Sequence, residues 1–357
     1  MVQQPNTLPS AEDLVPSAIR SVQSADRLMK AAIAYSFDPA VIRTKTPRQL
    51  AQDTRLLRRS IRPNQLTHNV LRRVERNGLS IQNSVSFATQ MHEMSEARRL
   101  GTLRPSWKLD VKNNAYSFVD ALGVRRPHSD RAAHEWDQIS FEFPSVVKAT
   151  RATGSRGCYL LYSPDRIVHV RDGRVFDSVD ALSKHAQNLM SRGSNRLPDR
   201  WMVEELILED SEVHRPARDL KFYSFYGEIA LVRESRRDGE LKVAYWDRES
   251  NPIVTGRYED VWFEGVGFSK EDAALVSEIS RSIPHPFMRI DMLKGEDELV
   301  FGEFTPRPGS FDEFNSKWDR LLGEAWVRAE SRLLEDLLRG KRFGAFLDST
   351  NLLEARE

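Results

Sequence analysis

A single cysteine, Cys158, stands in 357 residues. That excludes an intramolecular disulfide and a cysteine-rich zinc site. Long apolar runs are missing as well: none approaches the roughly 20 residues of a membrane span, so no membrane partner is expected. The opening stretch, MVQQPNTLPSAEDLVPSAIR, has no basic region followed by an apolar one. A secretory signal is therefore not expected, and the cytoplasm is the expected compartment. Histidine is sparse. His128, His134, His169, His185, His214 and His285 are scattered without metal-ligand spacing and read as structural or exposed. Nor is there an overall excess of charge, the net value being +1.

What is present is a globular composition, 40% hydrophobic and 29% charged, long enough for two or three domains. The small net charge hides an asymmetry. Residues 1–104 hold 16 Lys+Arg against 8 Asp+Glu, and the remainder holds 37 against 44. The first part reads as a basic helical module. It has helices over 11–36 (Ser10 as cap), from Thr46-Pro47, over 64–77 and over 84–100. Arg55, Arg58, Arg59, Arg62, Arg72, Arg73 and Arg76 give it either a solvated basic face or a surface for an anionic partner. Aromatic side chains that stack on bases are nearly absent there, which disfavours RNA.

From Trp107 the pattern changes to strands alternating with shorter helices. Helices are expected over 112–122, closed by Gly123, over 178–191, over 269–283 with Ser269 as cap, and over 319–338. Strands are expected over 144–149, 158–163, 201–207, 220–226 and 229–234, with a hairpin over 165–176 turned at Asp172-Gly173.

Three segments carry chemistry. In PFMRIDMLKGEDELVFGEFTPRPGS, alternation sets Arg289 and Asp291 on one side of a strand and Met288, Ile290 and Met292 on the other. A turn within Lys294 to Glu298 leads to a second arm in which Glu303 and Thr305 alternate with Gly302 and Phe304. A turn with an odd number of residues puts Asp291 and Glu303 on one face, and a three-residue turn sets them opposite each other. Opposed like charges are destabilising unless a cation intervenes. Two acids beside an arginine in an apolar matrix (Phe287, Ile290, Val300, Phe301, Phe304) thus point to a divalent metal and the phosphates it carries.

In VVKATRATGSRGCYLL, Lys148 ends a strand and a loop with Gly154, Ser155 and Gly157 leads into another strand. Glycines let backbone N–H groups approach phosphate oxygens, but a P-loop would need a helix next. A phosphate-covering hairpin that acts as a lid remains, beside the plainer reading of a basic surface hairpin. In WMVEELI, Glu204 and Glu205 follow an apolar strand, which suits either a purine slot or a pair of edge acids.

In this order the segments resemble the ATP-grasp superfamily, and within it the TupA-like branch, over Lys108 to Arg339. KLDVKNNAYSFVDALGV, FPSVVKATRATGSRG, PDRWMVEELI, RDLKFYSFYGEIALV, FMRIDML and FGEFTPRPGS carry the resemblance. It implies an α+β, ATP-grasp fold in which two α+β subdomains clamp ATP, preceded here by the basic module. The expected divisions are 1–104, a lid subdomain 105–205, a C-terminal subdomain 206–345 and a charged tail 346–357. The resemblance also implies the site. Lys112 (with Lys108 nearby) and Lys148 would contact ATP phosphates beside Gly154, Ser155 and Gly157. Glu204 would lie at the adenine, with Glu205 and Leu206 as hinge residues, and Asp219 and Lys221 would face nucleotide or substrate. Asp291, Glu303 and Thr305 would bind Mg2+, Thr305 standing where the family often has asparagine. Arg289 would stabilise the transferring phosphoryl group, and Arg307 would hold a substrate carboxylate.

The implied reaction joins a carboxylate (an amino acid or sugar acid) to an amine through an acyl phosphate. The alternatives are a kinase using the same clamp and a non-catalytic nucleotide- or nucleic-acid-binding protein. Cys158 has no identifiable base and reads as a packing residue.

Overall fold

The computed structural model describes residues 11–351, apart from 37, 47, 50, 51, 53–59, 62–64, 66, 70, 73–84, 130, 151, 153, 192–195 and 239. They fall into two compact units, Met1–Ser86 and Phe87–Glu357. The first contains α1 (Ala11–Ser36) and α2 (Pro39–Thr44). Thr46 caps the start of the next segment reciprocally with Gln49: the Thr46 Oγ1 accepts from Gln49 N–H, and Gln49 Oε1 accepts from Thr46 N–H. Most of the expected second and third helices lies outside the described residues, as do Ser10, Arg55, Arg58, Arg59, Arg62, Arg73 and Arg76. Arg72 is exposed.

The second unit opens with α3 (Phe87–Arg99). The sequence groups this helix with the basic module, yet it buries Phe87, Met91 and Met94 in the second unit's own core. Phe87 meets the edges of Tyr223, Phe225, Phe287 and Phe314, with a centroid distance of 5.0 Å to Phe287. Aromatic edge contacts of this kind anchor the helix irrespective of its charge. Then comes α4 (Lys112–Ala121), closed by Gly123 at φ +70°.

Two antiparallel sheets follow. The first sheet holds β1 (Ser145–Ala149), β2 (Cys158–Ser163), β3 (Arg166–His169), β4 (Val175–Phe176) and β5 (Trp201–Glu204), in the order β4-β3-β2-β1-β5. With α5 (Val179–Ser191) it encloses a small core around Trp136, Val147, Tyr159, Leu161 and Trp201. The strand expected to run to Ile207 stops at Glu204, because the Glu205 N–H is taken by the carbonyl of His128.

After a short ribbon, β6 (Leu208–Asp210) with β7 (Arg215–Pro216), comes the main sheet. It is built from β8 (Arg218–Phe225), β9 (Glu228–Asp238), β10 (Glu240–Trp246), β11 (Met288–Lys294) and β12 (Leu299–Thr305), in the order β10-β9-β8-β11-β12. Its apolar side packs into the larger core, which includes residues of α6 (Lys270–Arg281), α7 (Ser316–Leu338) and α8 (Gly344–Thr350). Ser269 caps α6 through a reciprocal pair with Asp272. β6, β7 and β10 are additions to the sequence reading. β10 escapes it because its outer half, Glu240 to Lys242, is too polar to read as strand.

The β11–β12 hairpin departs from expectation in an instructive way. Its turn is the four-residue Gly295–Glu298, since Lys294 already pairs with Leu299. A turn of even length, continued regularly, would oppose Asp291 to Gly302 and send Glu303 to the other face. A bulge restores the expected outcome. The register shifts between Asp291 and Met292, so Met292 faces Phe301 while Asp291 faces Glu303, and Gly302 is the extra residue. The shift also lets Phe301 and Phe304, three residues apart, enter the same core with rings 4.5 Å apart. A Cβ on Gly302 would sit 3.0 Å from the Asp291 carbonyl oxygen, a backbone atom that cannot rotate away. Gly302→Ala is expected to destabilise the protein by about 1–3 kcal/mol, read as a lowered urea midpoint.

Candidate functional site

Two clusters of charge are built, one on each sheet. On the main sheet the register places Lys221 of β8, Asp291 of β11 and Glu303 of β12 in one row across three adjacent strands. Arg289 and Thr305, opposite each other, form the next row on the same face. Arg289 grips Asp291 with two hydrogen bonds of 2.7 Å, Nε to Oδ1 and Nη2 to Oδ2. Its Nη2 also donates to Thr305 Oγ1 at 2.8 Å and lies 3.5 Å from Glu303. Lys221 bridges Asp291 and Asp219, the latter at 2.7 Å.

Asp291 is 2% exposed. Burial alone would raise its carboxyl, but the charges of Arg289 and Lys221 outweigh it and hold Asp291 well below the usual carboxylate range. Burial likewise opposes the charge on Lys221, and Asp219 and Asp291 overcome it, so Lys221 is held protonated. Glu303 differs. Burial and the neighbouring Asp291 charge both push its carboxyl up. With 60% of the side chain open to solvent, desolvation is partial and the Asp291 charge is the firmer cause.

This donor set fits a hard divalent cation that takes only part of its coordination from protein. Among the described residues no three of His, Cys, Asp and Glu converge as a self-sufficient cage. Mg2+, however, is held by one or two carboxylates, with phosphates and water completing the octahedron. Asp291 and Glu303 fit that requirement. Thr305 enters the cluster as an acceptor for Arg289.

The second cluster lies on the first sheet, β4-β3-β2-β1-β5. By register, Val146, Lys148, Cys158, Leu160, Met202 and Glu204 share the face turned away from that sheet's own small core. The Glu204 carboxylate is bonded by Lys148, by Lys112 at 3.3 Å and by the Tyr116 hydroxyl at 2.6 Å. Lys112 and Tyr116 are four residues apart on α4 and so reach the same point. Burial opposes the Glu204 charge, yet the two lysines prevail and hold it at about 2. Lys112 is lowered by burial and by repulsion from Lys148, whereas Glu204 outweighs burial at Lys148 and raises it. One carboxylate cannot satisfy two ammonium groups equally, and Lys148 is the better paired.

The Glu204 shift carries a pH dependence. Its stabilisation is complete above the ordinary value of 4.5 and is lost as pH falls through about 2. The gap corresponds to about 3 kcal/mol. The stability difference between wild type and Glu204→Gln is expected to shrink by that order between pH 5 and pH 2. A constant difference in urea midpoints across that range would rule this out.

The remaining expected residues are placed as follows. Gly154, Ser155 and Gly157 lie in the β1–β2 turn with φ of +64°, +58° and +70°. A Cβ on Gly157 would strike Leu197 at 2.6 Å, while Gly154 faces open space. Glu205 leaves the lysine cluster: Arg125 donates to it at 2.7 Å and the His128 N–H at 2.9 Å. Leu206 is buried beside it, and Arg307 is exposed beyond the end of β12. Lys108 is in a separate 3-10 turn, and Lys112 is the lysine that reaches Glu204. Sequence reading missed Tyr116, although its spacing from Lys112 was the available signal. It also missed Arg125, which ties Glu205 to Glu298 of the β11–β12 turn at 3.1 Å and gave no such signal.

A family model described as TupA-like ATPgrasp matches residues 92–327. The chain belongs to that family. The match begins inside α3, in keeping with the helix's burial in the second unit. Among solved structures, the TupA-like chain is similar to the D-alanine–D-alanine ligase from Bacillus anthracis complexed with ATP. The two are 12% identical with a TM-score of 0.40, over 68% of this chain and 74% of that one. It is also similar to the ATP-grasp ligase PsnB complexed with precursor peptide PsnA2 and AMPPNP (10% identity, TM-score 0.35, 64% and 59% covered). No curated protein matches it.

Proposed function

We propose that this TupA-like ATP-grasp protein is an ATP- and Mg2+-dependent ligase that joins a carboxylate to an amine through an acyl phosphate, releasing ADP. The observation that carries the reading is the row Lys221–Asp291–Glu303 with Arg289 beside it, on the solvent-reaching face of a sheet. Asp291 and Glu303 would hold Mg2+, which would neutralise the phosphates and orient the terminal one. Arg289, clamped by Asp291 and Thr305, would meet charge developing on the transferring group without reorganising. Lys148 and Lys112 would contact the phosphates from the lid, with Glu204 as the anion that keeps both aimed. The apolar Val146, Leu160 and Met202 on the same lid face suit a purine, and Glu205 to Ile207 would supply hinge backbone groups to its edge. The β1–β2 turn would cover the phosphates, and excluding water there would protect the acyl phosphate until the amine attacks.

The test is a screen of acids paired with amines for ATP-dependent phosphate release, with products identified by mass spectrometry. ADP release requiring both an acid and an amine, with an amide product, supports the ligase. A stable phosphorylated product formed without amine overturns it in favour of a kinase.

A further inference from the structure

The row of side chains that carries the acids continues past Lys221. On the same face Lys221 opposes Arg233 of β9, and Arg233 opposes Tyr245 of β10. Arg257, in the segment after β10, joins this group: its Nη1 is 3.5 Å from the Tyr223 hydroxyl, and Tyr223 opposes Arg289. The guanidinium groups of Arg233 and Arg257 lie 5.2 and 5.3 Å from the ring of Tyr258. Tyr245 has Tyr223, Arg257, Arg233 and Tyr258 as its charged and phenolic neighbours.

This second group is short of acceptors. Arg257 is 5% exposed; its Nε makes no hydrogen bond and has only an ion pair at 3.4 Å with Glu313, a side chain more than half open to water. Tyr245 is 4% exposed and its hydroxyl has no partner. Arg233 donates to Ser235 at 3.1 Å and, among the described residues, has no carboxylate partner. By contrast, Arg289 and Lys221 are saturated by acids a few ångströms away. Leaving a buried donor unpaired costs about 1–3 kcal/mol, so the Arg257 Nε and the Tyr245 hydroxyl, close together, suit an anion. Arg233 is two strands from Asp291, about 10 Å between backbones. That is too far for one carboxylate to be activated beside Glu303 and also seated on Arg233. It suits an acid with an anionic group at each end.

We propose that the acid substrate is a dicarboxylate whose non-reacting carboxylate is bound by Arg233 and Arg257, with the Tyr245 hydroxyl as a further donor. This rests on the ligase reading, and it moves the role expected of the exposed Arg307 to the half-buried Arg233, on the same face as the metal acids, and the buried Arg257 beside it. Two guanidinium groups give bidentate partners to a planar carboxylate, and the aromatic rings of Tyr258 and Phe314 hold them in place.

The test is calorimetry on the full chain with Mg2+ and a non-hydrolysable ATP analogue. The probes are the straight-chain dicarboxylates from malonate to adipate, L-glutamate, and butyrate as the monocarboxylate control. At least one dicarboxylate is expected to bind ten times more tightly than butyrate. Arg233→Leu and Tyr245→Phe are each expected to weaken that dicarboxylate several-fold to tenfold or more, leaving the affinity for butyrate and for the nucleotide analogue unchanged. No preference for dicarboxylates, or full affinity in both variants, overturns the proposal. So does an Arg257→Leu protein that melts earlier yet binds the dicarboxylate normally, since its arginine is then structural only. Failure to bind the nucleotide analogue would defeat the ligase reading itself, and this inference with it. Nucleotide binding without dicarboxylate preference defeats the inference alone.

Discussion

Glu303→Gln is expected to lower turnover by about 100-fold to 1000-fold while leaving the melting temperature within a few degrees of wild type. The two halves of that expectation have separate causes. Glu303 is 60% exposed and its nearest cation, Arg289, is 3.5 Å away, so the fold gains little from its charge. In the proposed reaction that same charge is half of the metal's protein ligands. Asp291→Asn makes the necessary contrast. Arg289 and Lys221 are both largely buried and both bond Asp291, so its neutralisation takes the paired carboxylate from Arg289 and leaves Lys221 with Asp219 alone. Breaking buried pairs in this way costs about 3–5 kcal/mol, so Asp291→Asn is expected to lose stability as well as turnover. ADP release at saturating Mg2+ and a thermal melt separate the outcomes. A Glu303→Gln protein with near-normal rate would remove the metal assignment.

The second large effect is expected at Lys148. Lys148→Ala should weaken Mg-ATP binding by about 10-fold to 100-fold, corresponding to about 1.4–2.8 kcal/mol. The fold is expected to survive because Glu204 keeps Lys112 at 3.3 Å and Tyr116 at 2.6 Å. Relieved of its neighbour's repulsion and given the carboxylate to itself, Lys112 should become more basic. Calorimetry with Mg-ATP reads the affinity directly, and an unchanged value takes Lys148 out of the site.

Much of this was readable from the chain. Alternation in FMRIDML fixed the faces of Arg289 and Asp291, and capping chemistry placed α6 at Ser269 and the end of α4 at Gly123. The order of the motifs carries the family resemblance on its own. The failures have physical reasons. A β-bulge has no periodic signature, so Gly302 read as one more residue in an alternating arm, and the right pairing was expected from the wrong turn length. The basic composition of residues 1–104 as a whole put α3 in the basic module, although Arg98 and Arg99 are balanced within the helix by Glu93 and Glu96 and its three buried apolar residues tie it to the second unit. Arg257 and Tyr245 were invisible for another reason. Their significance lies in what they fail to bond, and an unmet hydrogen bond exists only in three dimensions.

The bulge at Gly302 has one more consequence, which concerns length rather than composition. The ladder nearer the turn pairs Lys294 with Leu299, Leu293 with Val300 and Met292 with Phe301. Continued without interruption in a chain one residue shorter, it would bring the present Glu303 opposite Asp291 all the same. Removing Gly302 altogether should therefore be gentler than giving it a methyl group, with the shortened protein melting above Gly302→Ala. In this hairpin the acids meet by a count that tolerates the loss of a residue better than its enlargement.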